Sequence, residues 1–230
     1  MNKFLCFISS FFLLLSISFN CFSDNQLDNF NSKFAKYKSD PKVRSAKAMV
    51  VNQNNGKVIY QKNAYSEASI ASLTKLMTAM VILDSKIDLK KKIKITKHDI
   101  DRLKGTGSRI PIGTLVTGYD LLKISLMSSD NRAASALSRA YPSGKKGFIK
   151  AMNIKALKLG MHNSKFADPT GLNKRNKSTA RDLVRMVEAA YQYPEIRKIT
   201  TTSQETFRIG KRKNEIGFVN TNRLVRKGTW

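Results

Sequence analysis

"SIASLTKLMTAM", residues 69–80, sets a serine three residues before a lysine at the head of an apolar run. Leu73, Leu76, Met77, Met80 and Val81 recur at helical spacing. The run predicts a helix, and its stripe reads as core. Ser72, at the start, has two readings. As an N-cap it is a favoured residue type. Yet a capping box wants Glu or Gln three residues on, whereas Lys75 cannot accept a hydrogen bond and its charge opposes the helix dipole. As a nucleophile, Ser72 needs a base, and residues three apart share a helix face, so the Lys75 amine can reach its hydroxyl. Burial, neighbouring cations and the positive end of the dipole all favour a neutral amine. The helix start also offers a backbone N–H to a developing oxyanion. From this stretch alone both readings stand.

The S-x-x-K spacing occurs twice more, at Ser39/Lys42 and Ser143/Lys146. Pro41 and Gly144 mark those two as loop-like, so Ser72 alone is expected to open a strong helix. A second stretch decides between the readings. "SSDN", residues 128–131, interrupts two helical runs, "TGYDLLKISLM" with a Thr117/Asp120 capping pair and "NRAASALSRA", closed by Pro142. Taken as structure, it is a helix–helix turn capped by Ser129 or Asn131. Taken as chemistry, it supplies a hydroxyl to relay a proton and a carboxamide to hold a substrate amide. S-x-x-K followed by S-D-N, each at a helix start, is far more specific than either motif alone.

With these motifs the chain resembles the serine-type D-alanyl-D-alanine peptidases, the low-molecular-weight penicillin-binding proteins. It is most similar to the D-Ala-D-Ala endopeptidase branch, the penicillin-binding protein 7 type. The matching stretches are "IASLTKLMTAMVILD", "LMSSDNRAASALSRAYP", "FIKAMNIKALKLGM", "DPTGL", "STARDL" and "NTNRLV", within residues 44–230. The resemblance implies Ser72 as acyl-ester nucleophile, Lys75 as its general base, Ser129 as proton relay and Asn131 as substrate-binding residue. It implies peptidoglycan stem peptides as substrate, cleaved as a carboxypeptidase or an endopeptidase, and β-lactams as covalent inhibitors of the same serine. A class A β-lactamase needs a glutamate to activate the deacylating water, and "DPTGLN" offers only Asp168. His98 and His162 sit in no triad motif, no side-chain cluster has metal-ligand spacing, and no cofactor is expected.

The same family carries a Lys-Thr-Gly or Lys-Ser-Gly strand. Here "RKGTW" has Lys227-Gly228-Thr229, which on a strand would put hydroxyl and lysine on one face instead of opposite faces. These residues are rejected as a site. The expectation is an incomplete domain whose C-terminal strands are missing, from a truncated product or a fragment of a longer frame. The alternative function is then a catalytically impaired remnant that at most binds cell wall.

Around these motifs the pattern is α+β, a transpeptidase fold of the penicillin-binding-protein type. A hairpin is expected around Met49–Val51 and Val58–Tyr60, and "KKKIKIT" reads as a short strand. Helices follow over "GFIKAMNIKALKLGM", ending at Gly160, and over "STARDLVRMVEAAYQYP", with Thr179 and Asp182 in capping spacing and Pro194 as its stop. From Ile199 the tail reads as β.

Lys3 is the only charge before Asp24, and an apolar run lies between them. Residues 1–23 read as a signal peptide cut after Ser23, with an uncleaved anchor or a lipid at Cys21 as the alternatives. Residues 24–42 read as a polar leader, and 43–230 as the peptidase domain. Cleavage removes both cysteines, Cys6 and Cys21, leaving no disulfide. The formal net charge of +26 attracts polyanions. Export to the periplasm argues against nucleic acid and for an anionic wall or membrane surface, where peripheral association is expected. The sequence assigns no oligomeric state.

Overall fold

The computed structural model describes residues 42–210 and 214–228. The expected signal peptide over 1–23, and the leader over 24–42 except its last residue, lie outside the described residues. Among the described residues, those from Ser45 onward form one compact unit.

Strands β1 (Ala48–Val51) and β2 (Val58–Lys62) form the expected antiparallel hairpin. A two-residue strand, β3 (Ala68–Ser69), leads into a 3₁₀ turn over Ala71–Leu73 and then helix α1 (Thr74–Asp84). Next come β4 (Lys92–Lys94), a 3₁₀ turn at Lys97–Asp99 and β5 (Leu115–Thr117). Helices α2 (Gly118–Met127), α3 (Asn131–Arg139) and α4 (Gly144–Lys158) follow. The chain continues through β6 (Lys177–Ser178), α5 (Ala180–Tyr191) and α6 (Pro194–Thr200). It ends in β7 (Gln204–Ile209), β8 (Asn214–Val219) and α7 (Arg223–Lys227). Among the described residues the strands form four separate antiparallel pairs, β1–β2, β3–β6, β4–β5 and β7–β8.

Helix α1 is the hub, packed against α2, α3, α4 and α5. Met77, Ala79, Met80 and Ile82 are fully buried, and they point to different sides of the helix. A helix apolar on all sides must lie inside, so the one-sided stripe was too narrow a reading. Its first member fails outright: Leu73 is 49% exposed, because it precedes the helix proper. Leu121, Leu122, Ile124, Leu137, Phe148 and Met152 close the core around α1.

Several local expectations change. The α2–α3 break is capped by Asp130, whose side chain accepts from the Ala133 N–H, and by neither Ser129 nor Asn131. Ser143 stands at the N-cap position of α4, so a second S-x-x-K pair does open a helix, though Ser143 makes no side-chain cap bond. Helix α5 ends at Tyr191, and Pro194 starts α6 at its first turn, where a missing N–H costs nothing. The tail is therefore helical before it is β. "NRLV" belongs to α7, capped by Asn222, and Lys227 closes that helix rather than lying on a strand.

Candidate active site

Three polar residues stand out on the buried helix α1. Thr74, Lys75 and Thr78 are at most 3% exposed, and buried polar groups require partners. All three find them on the loop 168–176. The Thr78 hydroxyl donates to the Pro169 carbonyl (2.7 Å) and Lys75 Nζ to the Thr170 carbonyl (2.8 Å). Asn176 Nδ2 donates to Thr74 Oγ1 (2.9 Å).

The loop is braced from within. Asp168 Oδ1 accepts from Gly171 N and Asn176 Nδ2, each at 2.8 Å. Its Oδ2 accepts from Thr170 Oγ1 (2.8 Å) and Asn173 N (3.3 Å). Asn176 Oδ1 accepts from the Ala167 and Asp168 amides. Gly171 has φ +86°, and a Cβ there would stand 1.9 Å from the Ala71 carbonyl oxygen and 3.0 Å from the Ser72 nitrogen. Only glycine lets this loop lie against the turn that carries Ser72. Upstream, β3 pairs with β6, and the Ile70 amide donates to the Asn176 carbonyl. The Ser72 turn is thus tied on both sides.

Ser72 caps nothing. The 3₁₀ turn and α1 both lack a side-chain cap bond. Instead Lys75 Nζ lies 3.2 Å from Ser72 Oγ, 2.7 Å from Asn131 Oδ1 and 2.8 Å from Thr170 O. Burial pushes the Lys75 pKa down to about 8, against the opposing pull of Asp130 and Asp168. A neutral amine has two protons and one lone pair. Two of its neighbours, a carboxamide oxygen and a carbonyl oxygen, can only accept. With both protons so used, the lone pair faces Ser72 Oγ. Burial of the lysine also sets this pair apart from Ser143/Lys146, where Lys146 is exposed.

The structure therefore gathers Ser72, Lys75 and Asn131. Ser129 sits beside them in sequence, at φ +57°, with no side-chain hydrogen bond to Ser72 or Lys75. Ala71, at φ +45°, is the other non-glycine residue next to the site in that region. Such backbone costs on the order of 1–3 kcal/mol per residue and persists where surrounding contacts enforce it.

A cleft of about 490 Å³ opens beside Asn131, Asp168 and Thr170, walled on its far side by Ile100, Asp101 and Leu103. The buried Asp99 holds this wall to α3 through Arg139 (2.9 Å) and Ser135 (3.3 Å). Sequence reasoning found the motif residues and missed this support. A polar pair inside an otherwise apolar helix, Thr74 and Thr78, was the available signal for the loop contact. Nothing in the residue pattern singled out Asn176.

The family profile for D-alanyl-D-alanine carboxypeptidase matches residues 34–230. A D-alanyl-D-alanine endopeptidase of Pseudomonas aeruginosa is 45% identical over 188 residues, covering 82% of this chain and 61% of that protein. The Escherichia coli D-alanyl-D-alanine endopeptidase is 43% identical over 192 residues, 84% of this chain and 62% of that protein. The chain thus spans about three fifths of the length of these curated relatives. The crystal structure of a Streptomyces DD-transpeptidase superposes with a TM-score of 0.76 at 30% identity, over 83% of this chain and 79% of that one.

Proposed function

Since this chain belongs to the D-alanyl-D-alanine carboxypeptidase family, we propose that it is a serine-type peptidase of D-alanyl peptidoglycan stems, acting through an acyl-enzyme on Ser72. The observation that carries this reading is Lys75 Nζ, within hydrogen-bond reach of Ser72 Oγ and of two obligate acceptors, so that the neutral amine, with both protons on those acceptors, has its lone pair left for Ser72. Ser72 Oγ attacks the carbonyl carbon of a D-alanyl peptide bond, and its proton passes to Lys75 Nζ. The C–N bond then breaks, and the departing amine takes that proton through the Ser129 hydroxyl. Water hydrolyses the ester and regenerates Ser72. Asn131 holds the substrate backbone from the cleft side. β-Lactams acylate Ser72 by the same attack. The named endopeptidase relatives support a cross-link as substrate, the signal-peptide pattern of residues 1–23 supports export to the periplasm, and the charge supports peripheral wall or membrane association.

Mass spectrometry after incubation with a fluorescent penicillin tests the reading. A single adduct on the Ser72 peptide is expected, lost in Ser72→Ala. An unlabelled wild type with the expected circular dichroism sinks it.

A further inference from the structure

The loop that follows the 3₁₀ turn at Lys97–Asp99 is exposed, yet one side chain organises it. Asp101 Oδ1 accepts from the amides of Leu103 (2.8 Å) and Lys104 (3.0 Å). Its Oδ2 accepts from the Thr106 amide (2.9 Å) and the Thr106 hydroxyl (2.6 Å). Gly105, at φ +66°, makes the turn between them. The hydroxyl of Thr106 then meets the site: Asn131 Nδ2 donates to Thr106 Oγ1 at 2.9 Å.

A hydroxyl has one proton. In Thr106 that proton is committed to Asp101, so toward Asn131 it presents only a lone pair. The two ends of a carboxamide are told apart by their partners. A lone pair on one side selects the NH₂ end, which leaves the carbonyl end for Lys75. We propose that Thr106, oriented by Asp101, is a positioning residue that sets the polarity of the Asn131 carboxamide and so keeps the Lys75 lone pair free for Ser72. An inverted Asn131 would aim N–H at Lys75 Nζ across the same 2.7 Å. A neutral amine would accept that hydrogen bond with the lone pair the serine needs. The loop that walls the cleft would thus act on the base through two hydrogen bonds without touching it.

The catalytic part rests on the function proposed above. The polarity part does not, and the test separates them. Lysine labelled with ¹³C at Cε reports the titration of Lys75 by NMR in the full chain, its signal assigned by absence from Lys75→Met. Lys75 is faced by Asp130 from the α2–α3 link and by Asp168 from the loop 168–176, and both are retained in every variant. Thr106 is exposed, so its substitutions leave the core intact.

In wild type and Thr106→Ser the Lys75 midpoint is expected near pH 8. In Thr106→Val, which keeps shape and loses the hydroxyl, the ammonium form loses an acceptor. The midpoint should fall by about one unit, while penicillin acylation slows by about tenfold or more. More free base with slower acylation is a combination that loosening of the loop would not produce. An unchanged midpoint in Thr106→Val overturns the proposal, and so does a Thr106→Ser variant that shifts as far as Thr106→Val. A wild type that takes no penicillin but shows the Thr106→Val shift overturns the catalytic reading and leaves the polarity assignment standing.

Discussion

At the scale of the residue, the Lys75 amine sits 3% exposed in a shell of three oxygens, and its burial carries a cost in stability. The folded pKa of about 8 lies below the ordinary 10.5. Between those values the unfolded chain binds more protons than the folded one, so stability rises with pH across that window. Two and a half pKa units correspond to about 3 kcal/mol. Urea titrations of wild type and Lys75→Met should therefore differ by a gap that moves about 3 kcal/mol in favour of wild type from pH 7.5 to pH 10.5. A constant gap would mean the amine is not depressed. Asp130 has two separable roles, capping α3 and attracting the Lys75 charge. Asp130→Asn keeps an oxygen for the Ala133 amide and removes the charge. Lys75 should then titrate lower still, and the acid limb of penicillin acylation should move to lower pH while helix content stays constant.

At the scale of the element, the turn that carries Ser72 depends on a loop almost a hundred residues later in the chain. Gly171 permits that contact by lacking a Cβ. In Gly171→Ala the methyl meets a backbone carbonyl that cannot step aside, at a φ alanine disfavours. Destabilisation should exceed about 1 kcal/mol, with acylation falling more steeply than the melting temperature suggests, because the displaced atoms are those of Ala71 and Ser72. Asn176 is completely buried, and its side chain joins Thr74 to Asp168. Asn176→Ala leaves the amides of Ala167 and Asp168 and the Thr74 hydroxyl short of partners. Each orphaned group costs about 1–3 kcal/mol, so thermal unfolding should show a loss larger than for any surface substitution. A loss under 1 kcal/mol would show that water replaces the bracket.

At the scale of the whole molecule, the sequence carries a formal charge of +26, and most of the lysines among the described residues are exposed. Three acidic residues, Asp99, Asp168 and Asp182, are buried in their networks. Glu67, Asp84, Asp88, Glu188, Glu195 and Glu215 are exposed, but exposed lysines and arginines outnumber them, so the described surface is net positive. Such a surface should hold purified sacculi in low salt and release them near 1 M, where the screening length shrinks to about 3 Å. Retention that ignores salt would locate recognition in the cleft rather than on the surface.

The sequence by itself determined the helix over residues 74–84, the first hairpin, the caps at Thr117 and Thr179, and the pairing of Ser72 with Lys75. Each of these depends on neighbours within a few residues, where periodicity and capping chemistry act. It did not determine the two-residue pairing of β3 with β6, the cap at Asp130, or helix α6, which starts at the proline that read only as a stop. Most of what completes the candidate site was also out of reach. Asp101 and Thr106 reach Asn131, and the 168–176 loop reaches α1, across 25 to more than 90 positions. Polar residues buried by the fold have to find partners wherever the packing brings them, and no local pattern encodes which partner that will be.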